Sequence, residues 1–153
     1  MVASSSDSSG LQIFRSNYNL AADGAADLDT PANDGVENLL KYAFNMLGAG
    51  DGQKNALTSP NRAVLRQGGT AGLPRADRDE FGKLSVSYIR RKASGNSGVI
   101  YFTGFSNNMT AWSVNDQATD VVTSVDDAIE NVMTTDNHPV ESKRFVRVKV
   151  TTP

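Results

Sequence analysis

The side chains with the most evident chemistry are Asp27, Asp29, Asn33 and Asp34, set just ahead of Gly35. Alternating acids before a glycine suit a hard cation such as Ca2+, which takes several oxygen ligands around a sharp turn. A complete loop of this kind closes on a bidentate glutamate at its twelfth position. Counted with Gly35 as the sixth residue, that position is Lys41, and the first and third are Thr30 and Ala32. Counted from Asp27, Asp29 falls third but the glycine is lost. Ca2+ is thus the one cofactor these residues point to, and the loop lacks its closing acid. The same acids also suit a helix N-terminus, where the backbone dipole favours negative charge.

A second kind of chemistry is stacking. Trp112 is the only tryptophan. Exposed, it can lie against a sugar face, with Tyr88 or Tyr101 completing a ligand-binding platform; buried, it anchors its loop to the core, which is the plainer reading beside Met109. Catalytic constellations are hard to assemble. Cysteine is absent and His138, between Asn137 and Pro139, is the single histidine. Thiol nucleophiles, zinc–thiolate sites and multi-histidine centres are excluded. No G-x-S-x-G accompanies His138, so a Ser–His triad has no support. Asp126-Asp127 reads as a turn rather than a glycosidase pair, because adjacent acids face opposite sides. Gly50, Gly52, Gly68 and Gly69 fit neither a Walker loop nor a dinucleotide fingerprint. Arg90-Arg91-Lys92 at a strand end could touch a phosphate or an acidic polysaccharide; a solvated strand end is the plainer reading. Asn108-Met109-Thr110 is a formal glycosylation sequon.

The elements that must position these residues fall into two kinds. Val36, Leu39, Leu40, Ala43, Phe44 and Leu47 recur at helical spacing. Asp34 is placed to cap this helix, with Glu37 completing a capping box and Gly48 ending it. Leu11 to Asn19 is too short to assign. Gly48 to Gly82 is punctuated by Gly-Asp-Gly, Ser59-Pro60, Gly68-Gly69 and Leu73-Pro74, with Ala63-Val64-Leu65 the best candidate for a short strand. After it the period becomes two. Leu84, Val86 and Tyr88 alternate with serines, and runs follow at Val99 to Phe105, Asp120 to Val125, Ile129 to Thr134 and Arg144 to Thr151. In the last, Val146, Val148 and Val150 share one face, Arg147 and Lys149 the other.

The predicted fold is mainly β (α+β): an N-terminal amphipathic helix packed on an antiparallel β-sandwich of five to six strands. Residues 1–10 read as a flexible leader or linker, 11–48 as a helical head, 49–82 as an irregular connection and 83–153 as the antiparallel β domain, with 11–153 one folding unit. At 153 residues the chain suffices for one buried core. The serine-rich start has neither the basic nor the apolar region of a signal peptide. Its composition suits a domain cut from a longer polypeptide.

The net charge of −2 hides blocks of opposite sign. Residues 62–92 carry eight bases and three acids, and 93–142 carry seven acids and no base. Such blocks suit head-to-tail contacts, or opposite charges facing each other across antiparallel strands. A negative total argues against nucleic acid as a partner. No run of about eighteen apolar residues occurs, which argues against membrane insertion.

Four motifs in order carry a family resemblance. Asp34-Gly35-Val36-Glu37-Asn38-Leu39-Leu40-Lys41-Tyr42-Ala43 resembles the D-G-D-G-x-x-N-L-L-E-Y-A helix start near the C-termini of large secreted or surface proteins of Verrucomicrobia and related bacteria. Leu84-Ser85-Val86-Ser87-Tyr88-Ile89-Arg90-Arg91 is similar to that family's L-T-L-T-Y-x-R-R strand. Ser106 to Trp112 resembles its S-x-D-L-x-x-W motif, with Asn108 in place of the aspartate. Arg144-Phe145-Val146-Arg147-Val148-Lys149-Val150-Thr151 resembles its closing strand. The family's calcium-like acids are replaced at Thr30, Ala32 and Lys41. The resemblance implies a non-enzymatic accessory domain of unknown function, extracellular or on the cell surface. Its implied partners are the parent polypeptide or cell-surface components. The expected function is a structural or attachment module; the alternative is a carbohydrate-binding module that stacks polysaccharide on Trp112.

Overall fold

The computed structural model describes residues 8–47, 57–113, 119–139 and 143–153. The chain is mainly β with antiparallel sheets: two helices, α1 (Gly10–Asn17) and α2 (Asn38–Ala43), precede or flank six strands. These are β1 (Arg75–Arg78), β2 (Leu84–Arg91), β3 (Ile100–Ser106), β4 (Thr119–Ser124), β5 (Ile129–Thr135) and β6 (Phe145–Thr151). Five match the runs of period two. The sixth, β1, lies inside the stretch expected to be irregular connection, 49–82. Its sequence, Arg-Ala-Asp-Arg, has no apolar alternation and is a strand because it pairs along β2. Ala63-Val64-Leu65 forms only an isolated bridge from Val64 to Leu73. Gly72 makes that bridge close: its φ is +137°, and a β-carbon there would meet the Leu65 backbone at 2.6 Å.

The stretch of helical period makes a shorter helix than its apolar spacing predicts. After Ala43 the chain turns through Asn45, whose φ is 55°. Asn45 N–H donates to Tyr42 O and Met46 N–H to Lys41 O, the paired bonds of a Schellman ending. Asn45 therefore ends the helix, three residues before the glycine expected to do so; Gly48, Gly50-Asp51-Gly52 and the Asn115-Asp116 turn lie outside the described residues. The same ending recurs in α1 at Asn19, φ 56°, and Ser9 Oγ caps its start by accepting from Gln12 N–H.

The capping box does not form. Glu37 occupies the N-cap of α2 and makes no side-chain cap bond. Asp34 turns inward instead. Its Oδ1 accepts from Val36 N–H, its Oδ2 from Asn61 N–H, and Lys41 Nζ lies 2.7 Å from Oδ2. Both side chains are essentially sealed from solvent, at 0% and 1% exposure. A charge is costly to bury alone, so each requires the other.

The strands form a four-stranded sheet ordered β1-β2-β5-β4 and a two-stranded ribbon, β3-β6. Alternation sorts the side chains by face. Val86, Tyr88 and Val132 from the sheet join Val36, Phe44 and Met46 in one buried cluster. Tyr101, Val146, Val148 and Val150, on one face of the ribbon, pack against it. Thr103 Oγ1–H donates to the Tyr88 hydroxyl, and the Tyr88 and Tyr101 rings stack with centroids 6.0 Å apart. A second cluster gathers Leu11, Phe14, Leu39, Tyr42, Leu47, Leu57 and Val99. On the far side of the sheet Leu65 covers Ile89 and Ile129.

Replacing Lys41 with methionine leaves Asp34 buried without its cation and should cost about 3–5 kcal/mol in urea unfolding at pH 7. Burial pushes the Asp34 carboxyl up, but the bonds from Lys41, Asn61 and Val36 outweigh it and hold it well below the ordinary 3.8. The stability it contributes is therefore present above that value and lost as pH falls below it. In Lys41→Met the acid-dependent loss should shrink, because without the ammonium the folded carboxyl no longer sits far below its unfolded value. An unchanged acid limb would contradict the assignment.

Candidate ligand-binding site

The described structure takes the four oxygen-bearing residues in different directions. Asp27 is buried and grips Arg15 in a two-pronged pair, Nε to Oδ1 at 3.0 Å and Nη2 to Oδ2 at 2.6 Å. Asp34 faces Lys41. Asp29 and Asn33 are exposed, and Asn33 has a φ of 55°. Among the described residues no three His, Cys, Asp or Glu side chains come together as a metal group. The resemblance implies Ca2+ here, and these residues do not fit it: Lys41 brings its own positive charge to the Asp34 carboxylate. Asn38 ties the segment down, its Nδ2–H donating to Ala26 O while its Oδ1 is buried without a partner.

The three stacking candidates are likewise separated. Tyr88 is buried in the core. Tyr101 lies on the inward face of the ribbon, where its hydroxyl donates to Ala43 O at 2.7 Å and accepts from Arg91 N–H. Burial pushes its phenol up to about 12. Both are core residues and neither meets Trp112.

Trp112 lies on the other face of that ribbon, half-buried. The loop that delivers it is held by its own polar side chains. Ser106 Oγ accepts from the amides of Asn108 and Met109, and Asn108 Oδ1 accepts from those of Thr110 and Ala111. An acceptor oxygen is all this turn needs, and asparagine supplies one. The chain then doubles back along β3, with Phe105 and Ser113 exchanging both backbone hydrogen bonds. This sets the indole over Gly104, where a β-carbon would sit 3.5 Å from Trp112 Cβ and Cε3. Alanine would fit there; a longer side chain would lift the ring.

The register of the ribbon supplies the rest. Phe102 pairs with Lys149 and Gly104 with Arg147, so all four share the face that carries Trp112. The Arg147 guanidinium lies over the indole at 4.4 Å. Phe102 is 41% exposed. Phe102, Gly104, Trp112, Arg147 and Lys149 line a slot of about 190 Å³. It is small beside drug-sized clefts and suits one ring. Sequence reasoning put Arg147 and Lys149 on one face of their strand; it missed Phe102, whose place depends on how β3 and β6 pair.

A larger groove of about 760 Å³ runs along the far face of the four-stranded sheet, floored by Ser85, Ser87, Thr123 and Asn131. Arg75, paired with Asp77 at 2.6 Å, forms one wall. The basic run at the end of β2 is engaged within the molecule. Arg90 meets Glu130, Arg91 Nε donates to Tyr42 O with its guanidinium 4.0 Å from that ring, and Lys92 Nζ donates to Ser124 Oγ. His138 sits in a turn, its N–H donating to Asp136 Oδ1.

Trp112→Ala should cost about 1–2 kcal/mol, since only part of the ring is packed, whereas Tyr88→Ala should cost about 3–5. Urea denaturation separates the two; equal losses would mean that Trp112 is a core residue. No protein-family model, no curated protein and no solved structure matches the chain.

Proposed function

We propose that the chain is a non-catalytic attachment module of an exported or cell-surface bacterial protein, built as a β-sandwich with the helical segment packed against it. The observation that carries this reading is the Trp112 slot. A rigid ribbon offers solvent an indole, a phenyl ring, a guanidinium and an ammonium, groups that stack and attract charge. The buried acids support it from the other side. Asp27, Asp34 and Asp136 each face a basic partner, Arg15, Lys41 and Arg144, and so hold the fold together. The resemblance of four motifs to those of exported bacterial proteins suggests the setting. Among the described residues no helix is long and apolar enough to cross a membrane.

The second reading, a carbohydrate-binding module, rests on the half-exposed indole itself. Sugars present flat C–H faces that rest on aromatic rings, and a slot for one ring is the right scale. The two readings converge if the surface to which the module attaches is a polysaccharide.

The chain fused to an inert exported reporter should retain that reporter in the cell-envelope fraction, and Trp112→Ala should release it. A fusion that partitions into the medium like the reporter alone would contradict attachment.

A further inference from the structure

We propose that the Trp112 slot takes a uronic-acid residue of an acidic polysaccharide; this rests on the carbohydrate-binding reading above and names its ligand class. The apolar part of the slot is the edge of a patch, for Ile100 and Phe102 are each 41% exposed on the same face of β3. Such a face holds the C–H side of a pyranose. The polar part is wholly cationic. Arg147 and Lys149 stand two residues apart on β6, about 7 Å along the strand, a spacing that brackets one carboxylate.

What distinguishes these two cations is their place: they lack an internal counter-charge, as other surface cations do, and they line the slot beside the half-buried Trp112 and the exposed Phe102. Arg15, Lys41, Arg75, Arg90 and Arg144 each lie within 4 Å of a carboxylate. Among the described residues Arg147 and Lys149 have no carboxylate at that range, and Arg147 contacts only the indole in this way. Two unneutralised cations beside exposed aromatic rings attract an anion that also has an apolar face. A uronic acid meets both conditions in one residue: a pyranose ring for the aromatics and a carboxylate at C6 for the cations. Neutral sugars leave the charges unmatched. Single-stranded nucleic acid also combines stacking with negative charge, but it needs a basic track along its backbone. Here the slot itself offers only two cations, Arg147 and Lys149.

Isothermal titration of the whole chain tests this with oligomers of galacturonate, of guluronate and mannuronate, and of hyaluronan. Each is compared with its carboxyl-reduced counterpart, and oligothymidylate is included. At least one uronate series should bind, more weakly as salt rises, with its reduced form at least about threefold weaker. Lys149→Gln and Arg147→Gln should each weaken uronate binding about threefold, and together about tenfold. Neither should affect the reduced sugars, and Trp112→Ala should abolish binding of both. Cooperative melting in every variant, with a lowered midpoint expected only for Trp112→Ala, establishes that they fold. Equal affinity for uronates and their reduced forms would overturn the acidic class while leaving the carbohydrate reading intact. Binding of neither overturns both. Binding of oligothymidylate alone overturns both in favour of nucleic acid.

Discussion

One buried ion pair organises the N-terminal third of this molecule. The Lys41 and Asp34 side chains are almost wholly buried, and Asp34 also gathers the amides of Val36 and Asn61. The pair joins three pieces of chain that would otherwise be independent: the acidic loop, α2 and the segment that follows residue 57. A short helix of six residues is not stable on its own. Here it is fixed because moving it would strand a charge in the core. Satisfying buried charge is a stricter condition than apolar burial, since it fixes orientation as well as proximity.

The same logic recurs. Arg15 clamps Asp27 across twelve residues, drawing the end of α1 toward the acidic loop. Arg144 grips Asp136 and also donates to Asn107, linking the start of β6 to the turn that presents Trp112. Through that link the rigid interior reaches the slot. The binding face is thus braced from behind by charge pairs and from within by Ser106 and Asn108, while its own cations, Arg147 and Lys149, stay available. The buried acids are matched internally, and two cations without a carboxylate partner stand beside exposed aromatic rings.

Much of the β architecture was legible in the sequence because period-two alternation responds directly to having one buried face. β2 and β6 carry that signal clearly, while β3 shows as a dense apolar run. β1 does not, since an edge strand of charged residues is held by backbone pairing with no apolar pattern to betray it. The helix was legible as a helix but not in length: a mid-pattern asparagine can enter the left-handed region and end it, and apolar spacing is blind to that. The candidate site was legible only in part. Trp112 drew notice as the sole tryptophan, and the outward pair Arg147 and Lys149 followed from alternation. Their meeting with Phe102 depends on the β3-β6 register, a long-range fact. Tyr88 and Tyr101 were attractive as aromatics, yet both sit at core positions of their strands, where an aromatic ring contributes most to burial. The acidic loop misled for a related reason, because residue types alone do not tell a ligand for an external cation from a partner for an internal one.

The exposure of a single indole is the point on which the functional reading turns, and the chain has only one tryptophan. Acrylamide quenching of native fluorescence, compared with the urea-unfolded chain, reports it directly. A half-buried Trp112 on the outer face of the ribbon predicts quenching well above background and below that of the unfolded chain. Fluorescence that resists acrylamide altogether would place Trp112 in the core and remove the slot.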